Sequence, residues 1–204
     1  MSSHHFVKEQ QEPALMILHA DNFDFDLVAE ILEWSPTVVV AQEALDKVLS
    51  WGIKIDRVIA DKTFVKKNNQ LLEEQFPLEF LIPNEDNLLD TGINYLLESE
   101  HTAAVILGFD HTKVIDLEPV LAKLDVVIYD GPIRYFPAKS GILKKWLPVG
   151  SVQLHAPENS FIEMSTSDGS KLIRVNHATF VEVEEGLITF KGSGVFWIGE
   201  FLKS

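Results

Sequence analysis

An acidic residue at the end of a short apolar strand is where metal or phosphate chemistry is first possible in this chain. The run Ile55-Asp56-Arg57-Val58-Ile59-Ala60-Asp61-Lys62-Thr63 reads as a buried strand, Arg57 to Ala60, that delivers Asp61 into a loop. Ligands of open α/β sheets bind outside the carboxyl ends of the strands. An Asp there can hold Mg²⁺ against the phosphates of a nucleotide. It can equally form a turn with its own backbone, and Lys62 beside it is either an inward cation or a solvated side chain. A second group is Asn84-Glu85-Asp86-Asn87-Leu88-Leu89-Asp90. Glu85, Asp86 and Asp90 are candidate metal ligands. Asn87 is either a ligand contact or a helix N-cap, with Asp90 at the third helical position completing the cap. Asp110-His111 closes a later apolar run and offers a ligand contact or another cap. His19-Ala20-Asp21-Asn22-Phe23-Asp24-Phe25-Asp26 gathers acids that suit a cation, or that simply cap a helix and complement its dipole.

These residues need strands to carry them. Ala14–Leu18, Thr37–Ala41, Arg57–Ala60, Leu78–Ile82, Ala103–Leu107 and Val126–Tyr129 are apolar runs with strand character. Helical patterns alternate with them over Phe23–Trp34, Gln42–Trp51, Leu71–Gln75, Leu88–Glu98 and Leu117–Lys123. Near-continuous apolar strands alternating with helices predict a parallel sheet covered on both faces. After Asp130-Gly131-Pro132 the texture changes. Ser151–Leu154, Phe161–Met164, Leu172–Val175, Phe180–Val183, Leu187–Phe190 and Val195–Phe201 are short β-rich runs separated by turn residues. That spacing predicts an antiparallel sandwich or small barrel. The expected fold class is therefore α/β: a Rossmann-like three-layer domain over 1–135, then a β-sandwich over 140–204.

The loop ending in Asp61 resembles the Pro-Asp-x-x-x-Gly-Asp-x-Asp-Ser signature of thiamin pyrophosphokinases, whose α/β-then-sandwich order also matches. Asp56 and Asp61 agree with it, whereas Thr63 and Phe64 stand for its second Asp and its Ser. The family's Asp-Gly-Gly turn is Gln42-Glu43-Ala44 here. Its Lys-Asp-x-Thr-Asp falls on Asn84-Glu85-Asp86-Asn87-Leu88, with the acidic helix position at Asp90. Its Gly-Gly-Arg-x-Asp-His is shortened to Gly108-Phe109-Asp110-His111. The resemblance implies an ATP- and Mg²⁺-dependent diphosphate transfer to thiamin. Asp61 and Glu85 would be catalytic, with Asp86 or Asp90 completing the metal set. Gln42, Lys62, Asn87, Asp110 and His111 would face the nucleotide. Asn176 and Trp197 would face thiamin across a homodimer interface, although a Trp in a terminal strand often fills the core.

Several family charges are neutral in this chain, and transfer of this kind depends on positioning and charge neutralisation. The expectation is a thiamin pyrophosphokinase-like protein with weak or lost catalysis and retained small-molecule binding; an active divergent enzyme is the alternative. Composition narrows the partners. The net charge is −14, with 24 acidic against 11 basic residues up to position 139 and 7 against 6 beyond it, which argues against nucleic acid. No cysteine is present, so thiolate nucleophiles and Cys-ligated metals are excluded. No apolar run is long enough for a bilayer, and the polar first dozen residues do not read as a signal peptide, so a cytoplasmic protein is expected.

Overall fold

The computed structural model describes residues 12–34, 36–83, 87–176 and 178–202. The chain packs as two compact units, residues up to Phe109 with 123–125, and Asp110–Ala122 with Val126–Ser204. The change of sequence texture places a division at residues 135–140. By packing, the segment after Asp110 already goes with the second unit.

The first unit is built on five strands: β1 (Ala14–Ile17), β2 (Val38–Ala41), β3 (Arg57–Ile59), β4 (Glu79–Leu81) and β5 (Ala103–Leu107). Their order is β5-β1-β2-β3-β4, and every pairing is parallel. Every residue of β1 and β2 is buried, as expected when helices cover both faces of a parallel sheet. The helices are α1 (Phe25–Leu32), α2 (Leu45–Ser50, entered through a 3-10 turn at Gln42–Ala44), α3 (Lys62–Lys67), α4 (Leu71–Glu74) and α5 (Leu88–Glu98). Gly52 at φ +69° closes α2, the usual role of glycine past a helix C-terminus. Gly108, at φ +76°, lets two loops touch: a Cβ there would lie 2.3 Å from the His19 carbonyl oxygen.

The second unit is a sandwich. Its strands are β6 (Asp125–Asp130), β7 (Ile133–Ala138), β8 (Ile142–Leu147), β9 (Gly150–His155), β10 (Phe161–Thr166), β11 (Gly169–Arg174), β12 (Thr179–Val183), β13 (Gly186–Lys191) and β14 (Phe196–Phe201). One sheet has the order β12-β9-β14-β7-β6, the other β11-β10-β13-β8. Leu154, Val181 and Ile198 from the first sheet meet Ile162, Ile188 and Phe190 from the second in one core. Because strand side chains alternate, Gln153, His155, Trp197 and Tyr135 lie on the opposite face of the first sheet.

Three local expectations change. A helix, α3, starts directly after Asp61 in place of the expected loop, because that carboxylate caps it. The short helix expected at Leu117–Lys123 is instead a 3-10 segment over His111–Val120, with Pro119 inside it and Val114 and Leu117 buried. The stretch from Ile133 to Leu147, for which no strand is expected, forms β7 and β8, and the exposed positions of β8 mix Lys144 with Ile142 and Trp146, which blurs the apolar alternation. Among the described residues, no helix is long and apolar enough to cross a membrane.

Candidate functional site

Strand order decides which loop residues meet in the first unit. Ala41 is the register partner of Ile59, so the residues leaving β2 and β3 are neighbours. Gln42 Oε1 accepts the Asp61 amide at 2.9 Å, and Gln42 Nε2 donates to Asp61 Oδ2 at 3.4 Å. The other oxygen, Asp61 Oδ1, accepts the amides of Thr63 (2.6 Å) and Phe64 (2.8 Å) at the start of α3. The Phe64 amide above all, then the Thr63 amide and Gln42, hold the Asp61 carboxyl below the usual carboxylate range. Lys62 is the exposed first residue of α3. Asp56 plays a structural part, since its Oδ2 accepts the Val38 amide at 2.8 Å and pins the start of β2.

In the loop before α5, Asn84, Glu85 and Asp86 lie outside the described residues. Asn87 caps α5, accepting the Asp90 amide at 3.1 Å while its Nδ2 donates to Asp90 Oδ2 at 2.5 Å. The Asp90 carboxylate is thereby folded back onto its own helix start. Beside β4 and α5 opens a cavity of about 610 Å³, lined by Asn87, Asp90, Asn94 and Glu98 along one stripe of α5 and by Phe80 and Ile82. This volume lies within the range of small-molecule pockets, about 300–1,000 Å³. Asp21, Asp24 and Asp26 are exposed; Asp24 occupies the N-cap position of α1 without a side-chain bond, and Asp26 sits in its first turn.

The second unit holds the denser polar cluster. Asp110 caps the 3-10 segment, its Oδ1 accepting the Thr112 amide at 3.0 Å and the Thr112 hydroxyl at 2.7 Å. That hydroxyl, then the amide, keeps the Asp110 carboxyl below its usual range. His111 Nδ1 lies 2.6 Å from Asp130 Oδ2, which also accepts the His111 amide at 3.1 Å. The His111 ring is parallel to Tyr135 (3°, centroids 5.2 Å apart), and His155 stands nearly perpendicular to both. Tyr135 donates its hydroxyl to Gln153 Oε1. Burial raises the Tyr135 hydroxyl pKa, with the Asp130 charge adding to it. Burial also pushes His155 down to about 4, with help from His111, so its imidazole is neutral near pH 7. Gly199 makes room for this layer, since a Cβ there would lie 2.4 Å from Tyr135 Cε1.

Sequence reasoning singles out Asp110 and His111 but not Asp130, Tyr135, Gln153 or His155. Asp130 carries a usable signal, because it ends an apolar strand before Gly131-Pro132 much as Asp61 ends β3. The other three are polar or aromatic positions alternating with core residues, a pattern every half-buried strand shares.

No protein-family model matches the chain, and no curated protein matches it in sequence. Solved structures do match it in shape. Thiamin pyrophosphokinase from Geobacillus thermodenitrificans superimposes with a TM-score of 0.70 at 13% identity, over 94% of this chain and 98% of that one. The Bacillus subtilis thiamine pyrophosphokinase gives 0.68 at 13% identity, over 94% and 100%. The Candida albicans enzyme gives 0.66 at 9% identity, over 94% and 90%. This chain has the thiamin pyrophosphokinase fold.

Within the thiamin pyrophosphokinase-like frame, the positions implied by resemblance meet different fates. Gln42 and Asp61 are brought together, and Asn87 and Asp90 form a cap. Asp110 and His111 join Asp130 in the second unit. Trp197 is only 1% exposed, so it leaves no ring face for a ligand to stack on; it fills a buried layer instead. Asn176 is exposed in the turn before β12, where its amide donates to Thr179 Oγ1 at 3.1 Å.

Proposed function

We propose that this thiamin pyrophosphokinase-like protein binds a small molecule of the nucleotide or thiamin class and has weak or lost diphosphate transfer. The Gln42–Asp61 pair carries this reading. Mg²⁺ bridging phosphates needs carboxylate oxygens free to face it. Asp61 has one oxygen bound by two amides and the other facing the Gln42 amide group. Gln42 can hydrogen-bond a ligand but brings no charge, and Asp90 is tied to Asn87. Electrostatic stabilisation of the transferring phosphoryl group is commonly the largest catalytic contribution, so its loss reduces turnover more than binding. The cavity beside α5 supports retained binding, because its shape does not depend on the missing charges. If transfer survives, ATP and Mg²⁺ are the co-substrate and metal, with Asp61 and Glu85 the residues to bear it.

The assay is thiamin diphosphate formation from ATP, Mg²⁺ and thiamin, run beside Asp61→Asn, with calorimetric titration of ATP and of thiamin. Turnover well below the order of 1 per second typical of enzymes, together with measurable binding of either compound, is expected. Turnover at that rate, abolished by Asp61→Asn, would establish the active divergent enzyme instead.

We also propose a homodimer formed through the sandwich. In the sequence, the apolar run Val195-Phe196-Trp197-Ile198 is the surface that would need cover. Phe196, Trp197 and Ile198 are buried within the single chain, so that run needs no partner. The larger group of exposed apolar side chains in the sandwich lies on the outer face of the other sheet: Trp146 beside its register partner Leu187, with Ile142, Phe161 and Leu172. An apolar face of this kind commonly marks an interaction surface. Light scattering is expected to give twice the chain mass for the wild type and the single-chain mass for Trp146→Glu/Leu187→Lys. A wild-type monomer at all concentrations removes the proposal.

A further inference from the structure

We propose that Asp110, His111 and Asp130 form a divalent-metal site of mixed nitrogen and oxygen donors, suited to Mn²⁺ or Zn²⁺ better than to Mg²⁺. One ligand atom from each residue lies within 4.8 Å of the other two. Donors held at about 2.0–2.2 Å from one ion lie at most about 4.4 Å apart, so small side-chain rotations bring these three onto a common ion. The three residues arrive on rigid elements, two at the start of the 3-10 segment and one at the end of β6.

Each carboxylate has one oxygen already held. Asp110 Oδ1 is bound by Thr112, and Asp130 Oδ2 by the His111 amide. Oriented carboxylates of this kind are what supporting hydrogen bonds provide in metal sites. The His111 ring is fixed by its stack on Tyr135. His111 and Asp130 side chains are 31% and 30% exposed, which admits an ion and leaves coordination positions for water. An imidazole beside two carboxylates favours first-row transition ions over Mg²⁺.

A second observation points to a guest here. His155 is 4% exposed, and its Nε2 has no hydrogen-bond partner among the described residues. Its ring stands at 80° to His111, with centroids 5.4 Å apart. An unpaired buried nitrogen calls for a water or an ion close by. Lys113 approaches Asp110 Oδ2 to only 3.9 Å and is 63% exposed, so it is free to swing away as an ion enters. None of these residues belongs to the loop after β3, so the site stands or falls apart from the proposed function.

Equilibrium dialysis of the full chain against MnCl₂, ZnCl₂ and MgCl₂, read by elemental analysis, tests it. One Mn²⁺ or Zn²⁺ per chain is expected, with Mg²⁺ at least tenfold weaker. Asp110→Asn keeps the helix cap, since Asn caps as well as Asp, and is expected to weaken binding at least tenfold with an unchanged circular dichroism spectrum. Asp130→Asn should do the same, and Asp110→Asn decides the matter should Asp130→Asn fail to fold. Asp168→Asn, in the exposed turn between β10 and β11, and the double variant His4→Ala/His5→Ala should bind as the wild type does. Absence of Mn²⁺ and Zn²⁺ binding overturns the site. So does binding that survives both Asp110→Asn and Asp130→Asn, or that vanishes with His4 and His5; either leaves His111–Asp130 as a plain pair.

Discussion

Gly108→Ala is expected to cost this protein about 3 kcal/mol or more of stability, from overpacking and a left-handed backbone together. The added Cβ would sit 2.3 Å from the His19 carbonyl oxygen, 2.7 Å from its nitrogen and 2.8 Å from its Cβ. Two of these three neighbours are backbone atoms, so no rotamer change relieves the clash. Nor can the His19 loop retreat easily. Leu18 donates its amide to the Leu107 carbonyl at 2.9 Å, continuing the register that pairs Ile17 with Leu107. Moving His19 would open the end of the β1–β5 pairing.

Gly52→Ala provides the control. Its φ of +69° is close to the +76° of Gly108, yet nothing lies within 4 Å of its Cβ position. It should lose only the conformational part, about 1–2 kcal/mol. Urea unfolding of the two variants separates close approach from backbone strain, and equal losses would refute the argument.

Gly199→Ala should be the second costly change, about 2–3 kcal/mol. Its Cβ would lie 2.4 Å and 2.8 Å from Tyr135 ring carbons and 3.0 Å from Ile133 Cγ2. These are side-chain atoms, which in a looser place would move aside. Tyr135 is fully buried, hydrogen-bonded to Gln153 and stacked on His111, so it can shift only by pressing on those neighbours. The displacement should therefore reach His111 and change the chemical shifts of its imidazole protons. A double-mutant cycle isolates the cause: Gly199→Ala should add little destabilisation once Tyr135 is already Leu. A Gly199→Ala variant within about 0.5 kcal/mol of wild type, the range of innocuous substitutions, would show that the ring can yield.

The two polar clusters use their acids differently. After β3, Asp61 spends one oxygen on the start of α3 and turns the other to Gln42, which suits a structural cap with residual ligand contact. In the second unit, Asp110 and Asp130 each keep one oxygen clear of the hydrogen bonds made to Thr112 and His111, beside an imidazole. Counting acidic residues along the chain would rank the first region higher. The pairing of each carboxylate reverses that order.

Much of the architecture is legible in the order of residues. Apolar runs such as Val38-Val39-Val40-Ala41, short and β-branched, read as strands buried on both faces, and the turn-punctuated runs after residue 150 read as antiparallel sheets. The helix start at Asn87 is equally readable, because a cap and its third-position carboxylate are local chemistry. Partners distant along the chain are not readable. Gln42 and Asp61 are 19 residues apart, as are His111 and Asp130, and Tyr135 and Gln153 are 18 apart. The burial of Trp197 likewise depends on which face of β14 is covered. Periodicity reports what a side chain prefers as its surroundings, whereas strand order and register decide which group stands within hydrogen-bonding distance. For this chain the strand-end positions of the acids were therefore set locally, and whether each acid became a cap, a pair or a ligand was decided only by the tertiary fold.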